Sequence, residues 1–231
     1  MLHFLAGRGG DNNIKTATTL IITKIKRIRG KRAQYGVYLD GSLALELSDW
    51  TIGKFGLRTG DDLDEQLIDT IKSAEAETRA KNIAINFLSY RPRSSKEITF
   101  HLTKKGFEHE CAENVTRHLQ SLKMIDDDQF AYTFVRDRLK RKPTGQALLR
   151  QQLLAKGISS EMADQVLTEL ISPQSQQDSA LLAAKRKIQL TQHTGKKIDA
   201  EKRKKRILDF LLRRGFSYEI ALKTIRTTLD H

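Results

Sequence analysis

Apolar residues, glycine and alanine recur along the chain in three copies of one pattern. Each copy has an apolar residue, Leu four positions later, Gly four positions after that, an apolar residue next, and Ala five positions further on. The copies span residues 98–112, 149–163 and 207–221. Apolar residues four apart lie on one face of a helix, and the Gly suits a left-handed position that closes it. Each copy therefore predicts two helices joined by a Gly turn.

A further helical stretch precedes each pair. The first two stretches end before Pro92 and Pro143, and proline disfavours helical geometry in the residue before it. Units of about three helices at a period of about 50 to 60 residues are typical of modular arrays. We predict a mainly α fold with three-helix repeats at 61–122, 123–172 and 173–231. A chance likeness among ordinary amphipathic helices is the alternative.

The segment before the repeats has a different pattern. Residues 1–19 are polar and aperiodic, which predicts a flexible tail. Residues 20–60 hold β-branched and alternating stretches around Asp40-Gly41, a strong hairpin signal. We predict a small antiparallel three-stranded β-sheet here. It should pack on a long helix from about Asp61 to Leu88, because three short strands need a partner for their apolar face.

Composition narrows the class of partner. The formal net charge is +13 and the isoelectric point is near 9.8, an excess that commonly marks a polyanion or acidic surface as partner. No apolar run is long enough for a bilayer span, and Cys111 is the only cysteine. We therefore expect a cytoplasmic protein without a membrane partner, and a buried or half-buried thiol at Cys111.

Several polar motifs have structural explanations. Ser94 with Glu97, and Asp126 with Gln129, have the spacing of helix caps. We therefore prefer capping to metal binding for the run Asp126 to Asp128, and we expect no metal and no cofactor. Capping explains neither Arg91 and Arg93 beside a helix start nor the five cations between Arg136 and Lys142. Both groups favour an anionic partner.

Four blocks in this order resemble the RecX family of recombination regulators. They are Arg91-Pro92-Arg93-Ser94-Ser95-Lys96-Glu97, Leu102-x-x-Lys105-Gly106-Phe107, Ile125-Asp126-Asp127-x-x-Phe130-Ala131, and Gly145 followed by Leu149-x-x-x-Leu153-x-x-Lys156-Gly157-Ile158. The match covers about residues 78–170. The third repeat and the strand-rich start agree more loosely, so the resemblance assigns no function to residues 1–48.

The resemblance implies a non-enzymatic protein that binds RecA, lies along the groove of the RecA–DNA filament, and modulates, usually inhibits, strand exchange and coprotease activity. It also implies direct binding to single- or double-stranded DNA. We expect a monomer. The partner-binding basic surface would comprise Arg91, Arg93, Lys104, Lys105, Arg136, Arg138, Lys140, Arg141, Lys142 and Lys156. Candidate nucleic-acid contacts are Lys24, Lys26, Arg27, Lys202, Arg203, Lys204, Lys205 and Arg206.

Two other functional classes are a plain DNA-binding protein and an enzyme. Helix pairs joined by a Gly turn are compatible with a plain DNA-binding protein built of helix-turn-helix-like repeats. However, the helix after the first Gly turn carries only Arg117 and Lys123 as cations. Catalysis is disfavoured, because the histidines lack metal-ligand spacing and Gly7-Arg8-Gly9-Gly10 lacks the strand-to-helix context of a phosphate loop.

Overall fold

The computed structural model describes residues 19–30, 33–192 and 199–229. Nearly all of the predicted tail at 1–19 lies outside these residues. The chain divides into two units, which meet between Arg79 and Ala80.

Four strands and ten helices make up the described residues. In chain order they are β1 (Leu20–Arg27), β2 (Gln34–Leu39), β3 (Ser42–Ser48), α1 (Asp49–Phe55), β4 (Asp62–Leu63), α2 (Glu65–Tyr90), α3 (Ser95–Lys104), α4 (His109–Ser121), α5 (Asp127–Arg141), α6 (Gln146–Ala155), α7 (Ser160–Leu170), α8 (Pro173–Gln192), α9 (Ala200–Arg213) and α10 (Tyr218–Leu229). The mainly α architecture with an N-terminal antiparallel sheet is confirmed.

The sheet of the first unit has four strands in the order β3-β2-β1-β4, all pairing antiparallel. The predicted hairpin lies between β2 and β3, where Asp40 and Gly41 both have positive φ angles (46° and 84°), as a two-residue primed turn requires. The prediction of three strands is wrong by one. It missed β4, whose two residues are too few to show alternation, and which pairs with Leu20 and Ile21.

One face of this sheet packs on helices. Ile22, Val37 and Leu47 are buried with Ile68 and Ile71 of α2, so the predicted packing of the sheet on the long helix is confirmed. That helix begins at Glu65 rather than near Asp61, because β4 occupies residues 62–63. Because successive side chains of a strand point to opposite faces, the residues between these buried ones lie on the other face of the sheet.

The second unit contains three helix triplets, each around its own core. The end of α2 with α3 and α4 forms repeat 1, α5 to α7 form repeat 2, and α8 to α10 form repeat 3. The Leu of each motif copy is fully buried: Leu102, Leu153 and Leu211. The Ala of each copy is equally buried, because a second helix crosses closely at that position.

The motif glycines close the second helix of each repeat. Gly106, Gly157 and Gly215 have φ angles of 92°, 85° and 83°. The residue after each Gly donates its N–H to the motif Leu, as Phe107 does to Leu102 over 3.3 Å. This is a Schellman closure, which the sequence pattern predicted.

Repeats 2 and 3 meet at a seam between backbones. The N–H of Gly145 donates to the carbonyl of Arg214 over 2.8 Å, and the N–H of Ala147 donates to Gly215 over 3.1 Å. The side chain of Arg214 donates to the carbonyl of Pro143. A Cβ on Gly145 would collide with the backbone of Gly215. A larger residue is therefore excluded at Gly145, the N-cap of α6.

Candidate partner-binding cleft between repeats 1 and 2

The cationic end of α5 is built by helical spacing and aromatic support. Phe130 and Val135 face the core of repeat 2, and Leu139 packs partly against the same core. The five basic residues between Arg136 and Lys142 are exposed on the outward side. The guanidinium of Arg138 lies 5.2 Å from the ring centroid of Phe134. That contact orients Arg138 before any partner binds.

The start of α3 brings repeat 1 against repeat 2. Ser94 caps α3 and forms the predicted capping box with Glu97. Its hydroxyl also donates to the carbonyl of Lys156 over 2.7 Å. The N–H of Ser95 donates to a carboxylate oxygen of Asp127 over 2.8 Å. One helix start is thus fixed by the α6–α7 turn and by the start of α5.

Glu97 links the two repeats electrostatically. Its carboxylate lies 2.7 Å from Nζ of Lys156 and 3.3 Å from Nη2 of Arg91. Burial raises the pKa of Glu97, but the hydrogen bond and charge of Lys156, the N–H of Ser94 and the charge of Arg91 together outweigh burial. The pKa of Glu97 is therefore held below its ordinary value.

A cleft of about 340 Å³ opens beside the contact between repeats 1 and 2. Four cationic side chains converge on it from three elements. It is lined by Arg91, Pro92, Phe130, Thr133, Phe134, Asp137, Arg138, Arg141 and Lys156. The cations come from the turn after α2, the end of α5 and the turn after α6, so the cleft exists only because repeats 1 and 2 are joined.

The lining suits an anionic partner with an apolar component. Arg138 and Arg141 have no carboxylate within 4 Å among the described residues, whereas Arg91 and Lys156 share Glu97. Pro92 and Phe134 supply apolar surface between the charges. Planar guanidinium groups bind carboxylates or phosphates in bidentate geometry. Asp137 is the acidic member of the lining and limits how much negative charge a bound group can bring.

The structure brings four of the ten predicted partner-binding residues into this cleft: Arg91, Arg138, Arg141 and Lys156. Arg136, Lys140 and Lys142 are exposed elsewhere around the end of α5. Lys104 and Lys105 lie at the opposite end of α3 from Ser94, about 15 Å along the helix axis.

Arg93 contacts an aromatic side chain of repeat 1. Its guanidinium lies 3.7 Å from the ring centroid of Phe87, which also stacks on His101 at 3.9 Å. Burial and then the charge of Arg91 lower the pKa of Arg93, against the opposing effect of Glu97. Arg93 therefore packs on repeat 1 and does not line the cleft.

The candidate nucleic-acid contacts fall in two places. Lys24, Lys26 and Arg27 lie on β1 in the first unit. The run Lys202, Arg203, Lys204, Lys205 and Arg206 lies in the first half of α9 and is mostly exposed. Consecutive helical residues point in different directions, so these five cations are spread around α9 and form no single patch.

Three further predictions concern the cap of α5, the burial of the cysteine and membrane-spanning helices. Asp126 accepts a hydrogen bond from the N–H of Gln129 over 2.8 Å, which confirms that it caps α5. The thiol of Cys111 is half-buried, as predicted. In the described ranges, no helix is both long and apolar enough to cross a membrane.

Sequence reasoning missed the neutral and acidic part of the cleft: Pro92, Phe130, Thr133, Phe134 and Asp137. Phe130 is buried and Phe134 is half-buried in repeat 2, so their apolar character alone indicates core positions. The spacing of Thr133, Asp137 and Arg141 at intervals of four could have indicated one polar stripe along α5. The approach of Lys156 to this stripe has no local sequence signal.

Comparison with protein families gives two matches inside the second unit. Residues 80–119 match the domain described as RecX, first three-helix domain, and residues 126–167 match RecX, second three-helix domain. A Regulatory protein RecX from Streptococcus pyogenes serotype M4 (strain MGAS10750) is 32% identical over 198 residues, 86% of this chain and 74% of the relative. Another from Bacillus licheniformis is 30% identical over 207 residues, 90% of this chain and 77% of the relative.

Solved structures agree with the sequence relatives. A crystal structure of regulatory protein RecX aligns with a TM-score of 0.66 at 26% identity, covering 91% of this chain and 98% of that one. RecX from Lactobacillus salivarius aligns with a TM-score of 0.56 at 26% identity, covering 68% of this chain and 98% of that one.

Proposed function

The chain belongs to the RecX family of regulatory proteins, and on this premise we propose that it binds the filament that RecA forms on DNA. Binding would modulate, usually inhibit, the recombinase and coprotease activities of RecA. The protein would act in the cytoplasm by occupying a surface, without a catalytic step of its own. The observation that carries the proposal is the cationic cleft between repeats 1 and 2.

Modular construction supports binding to a polymer. Each repeat has its own core, so successive repeats can present contacts to different parts of an extended partner. Contacts joined on one chain raise the effective concentration of each other, which gives tight binding from individually weak interactions. The exposed cations at the end of α5 extend the contact surface beyond the cleft.

The cleft supplies the test of this function. Arg138→Glu/Arg141→Glu reverses the charge of the two cleft cations that have no carboxylate within 4 Å in the part of the chain that the structure describes. Both side chains are exposed, so the fold should be retained. Inhibition of RecA-catalysed, DNA-dependent ATP hydrolysis should require at least about ten-fold more of this variant, because like charges across an interface oppose association.

A control variant separates position from net charge. Lys223→Glu/Arg226→Glu makes the same charge change at exposed positions of α10. It should inhibit RecA as the unaltered protein does. Equal potency of the cleft variant and the unaltered protein would refute the cleft as the binding site.

A further inference from the structure

The outer face of the sheet in the first unit is exposed and chemically mixed. Cross-strand partners share a face, and Lys24 and Lys26 pair with Tyr38 and Gly36, while Tyr38 pairs with Leu43. These residues therefore lie together on the side away from the buried Val37. Arg27 pairs with Tyr35 and belongs to the opposite face, so the three cations predicted on β1 divide between two faces.

Apolar surface on this face is open to solvent. Ile21 is 46% exposed and Leu43 is 53% exposed. Gly36 leaves room under Leu43, because a Cβ there would lie 2.8 Å from Cδ1 of Leu43. Cε2 of Tyr38 lies 3.6 Å from the same Cβ position. Leu43 and Tyr38 together form an apolar and aromatic platform over Gly36.

The ammonium group of Lys24 lies over the ring of Tyr38. Nζ of Lys24 lies 5.7 Å from the ring centroid of Tyr38. Lys26 projects from the same side of β1 about 6.8 Å further along the strand. Glu46 and Asp62 are acidic residues on this face, since they pair with Gly36 and with Ile21. Lys24 and Lys26 thus form a short cationic row that begins over the aromatic ring of Tyr38.

We propose that this outer sheet face binds single-stranded nucleic acid, with one base on Tyr38 and backbone phosphates at Lys24 and Lys26. Aromatic rings bind unpaired bases by stacking, and lysine ammonium groups neutralise phosphates. A duplex hides its base faces within the stack, so the platform selects single strands. The site is independent of the cleft in the second unit and of the proposed effect on RecA.

The test measures binding of the full chain to a fluorescently labelled oligothymidylate by anisotropy. Tyr38→Leu removes the ring and should weaken binding about ten-fold, whereas Tyr38→Phe should bind like the unaltered protein. On an abasic strand of equal length, Tyr38→Leu should have no effect, because that strand has no base to stack. Lys24→Gln/Lys26→Gln should weaken binding to both strands and reduce the slope of log K against log salt by about 1.4.

The matched control is Lys72→Gln/Arg79→Gln, which removes two exposed cations from α2 in the same unit. It should leave binding to both strands nearly unchanged. Circular dichroism establishes that each variant is folded. Full oligothymidylate affinity in folded Tyr38→Leu would overturn the proposal, as would an equal loss on the abasic strand. Equal weakening by the control pair would show that binding depends only on the net charge of the protein, which would also overturn the proposal.

Discussion

Glu97 joins groups from two repeats at one carboxylate. It accepts the N–H of Ser94 in its own helix cap, and it pairs with Lys156 from the next repeat and with Arg91 at the cleft. The same side chain therefore caps α3, links repeat 1 to repeat 2 and positions two cations of the cleft. Charged hydrogen bonds are stronger than neutral ones, which makes this residue sensitive to the loss of its charge.

Glu97→Gln should destabilise the fold by about 1 to 2 kcal/mol at pH 7, because an uncharged amide replaces a charge-assisted network. Since the folded-state pKa of Glu97 is lowered, its contribution is complete above the unfolded-state pKa of about 4.3. The contribution is lost as the pH falls through the folded-state pKa. Urea unfolding at neutral and acidic pH should show the difference between the two proteins shrinking in acid. A difference independent of pH would contradict this role.

Local rules predicted residues whose partners are close in sequence. The caps at Ser94 and Asp126 and the turn at Asp40-Gly41 each involve groups within four residues. The bond from Ser94 to Lys156 spans 62 residues, and no local pattern announces it. Gly145 stands at the N-cap of α6, where a residue with a capping side chain is usual. The absence of a side chain there is consistent with the close backbone contact that the structure shows.

The motif glycines differ at the level of helix packing. An added Cβ at Gly157 would lie 2.7 Å from Cβ of Lys96, because α3 of the preceding repeat lies against that turn. At Gly106 no described atom lies within 4 Å of that position. The three glycines thus share one backbone conformation. In addition, Gly157 lies at the contact between repeats 1 and 2, and Gly215 lies at the contact between repeats 2 and 3. The sequence predicts the left-handed conformation of these glycines but not the contacts that two of them make with a neighbouring repeat.

Gly106→Ala should cost about 1 kcal/mol of stability, the strain of a positive φ angle in a residue with a Cβ. Gly157→Ala should cost at least about 1 kcal/mol more, because overpacking at the seam adds to that strain. Denaturant unfolding of both variants provides the comparison. Equal destabilisation would show that the seam tolerates a methyl group.

At the scale of the whole molecule, the periodic pattern predicted the helical repeats, because each repeat obeys the same local packing rules. The pattern could not predict that the chain divides into units inside α2, at residues 79–80, since helical periodicity continues across that point. It also could not predict the cleft, which requires the end of α5 and the turn after α6 to meet. Basic residues could be identified from the sequence, but not which of them converge.

Recognition of a RecA filament, and not merely of DNA, distinguishes the function proposed for this RecX-family chain from that of a plain DNA-binding protein. The direct measurement is its affinity for RecA filaments on single-stranded DNA beside its affinity for the same DNA without RecA, over a range of salt concentrations. Much tighter binding to the filament, persisting at salt concentrations that release naked DNA, is the predicted result. Equal affinity for both, with the same steep salt dependence, would contradict the claim and favour a plain DNA-binding protein.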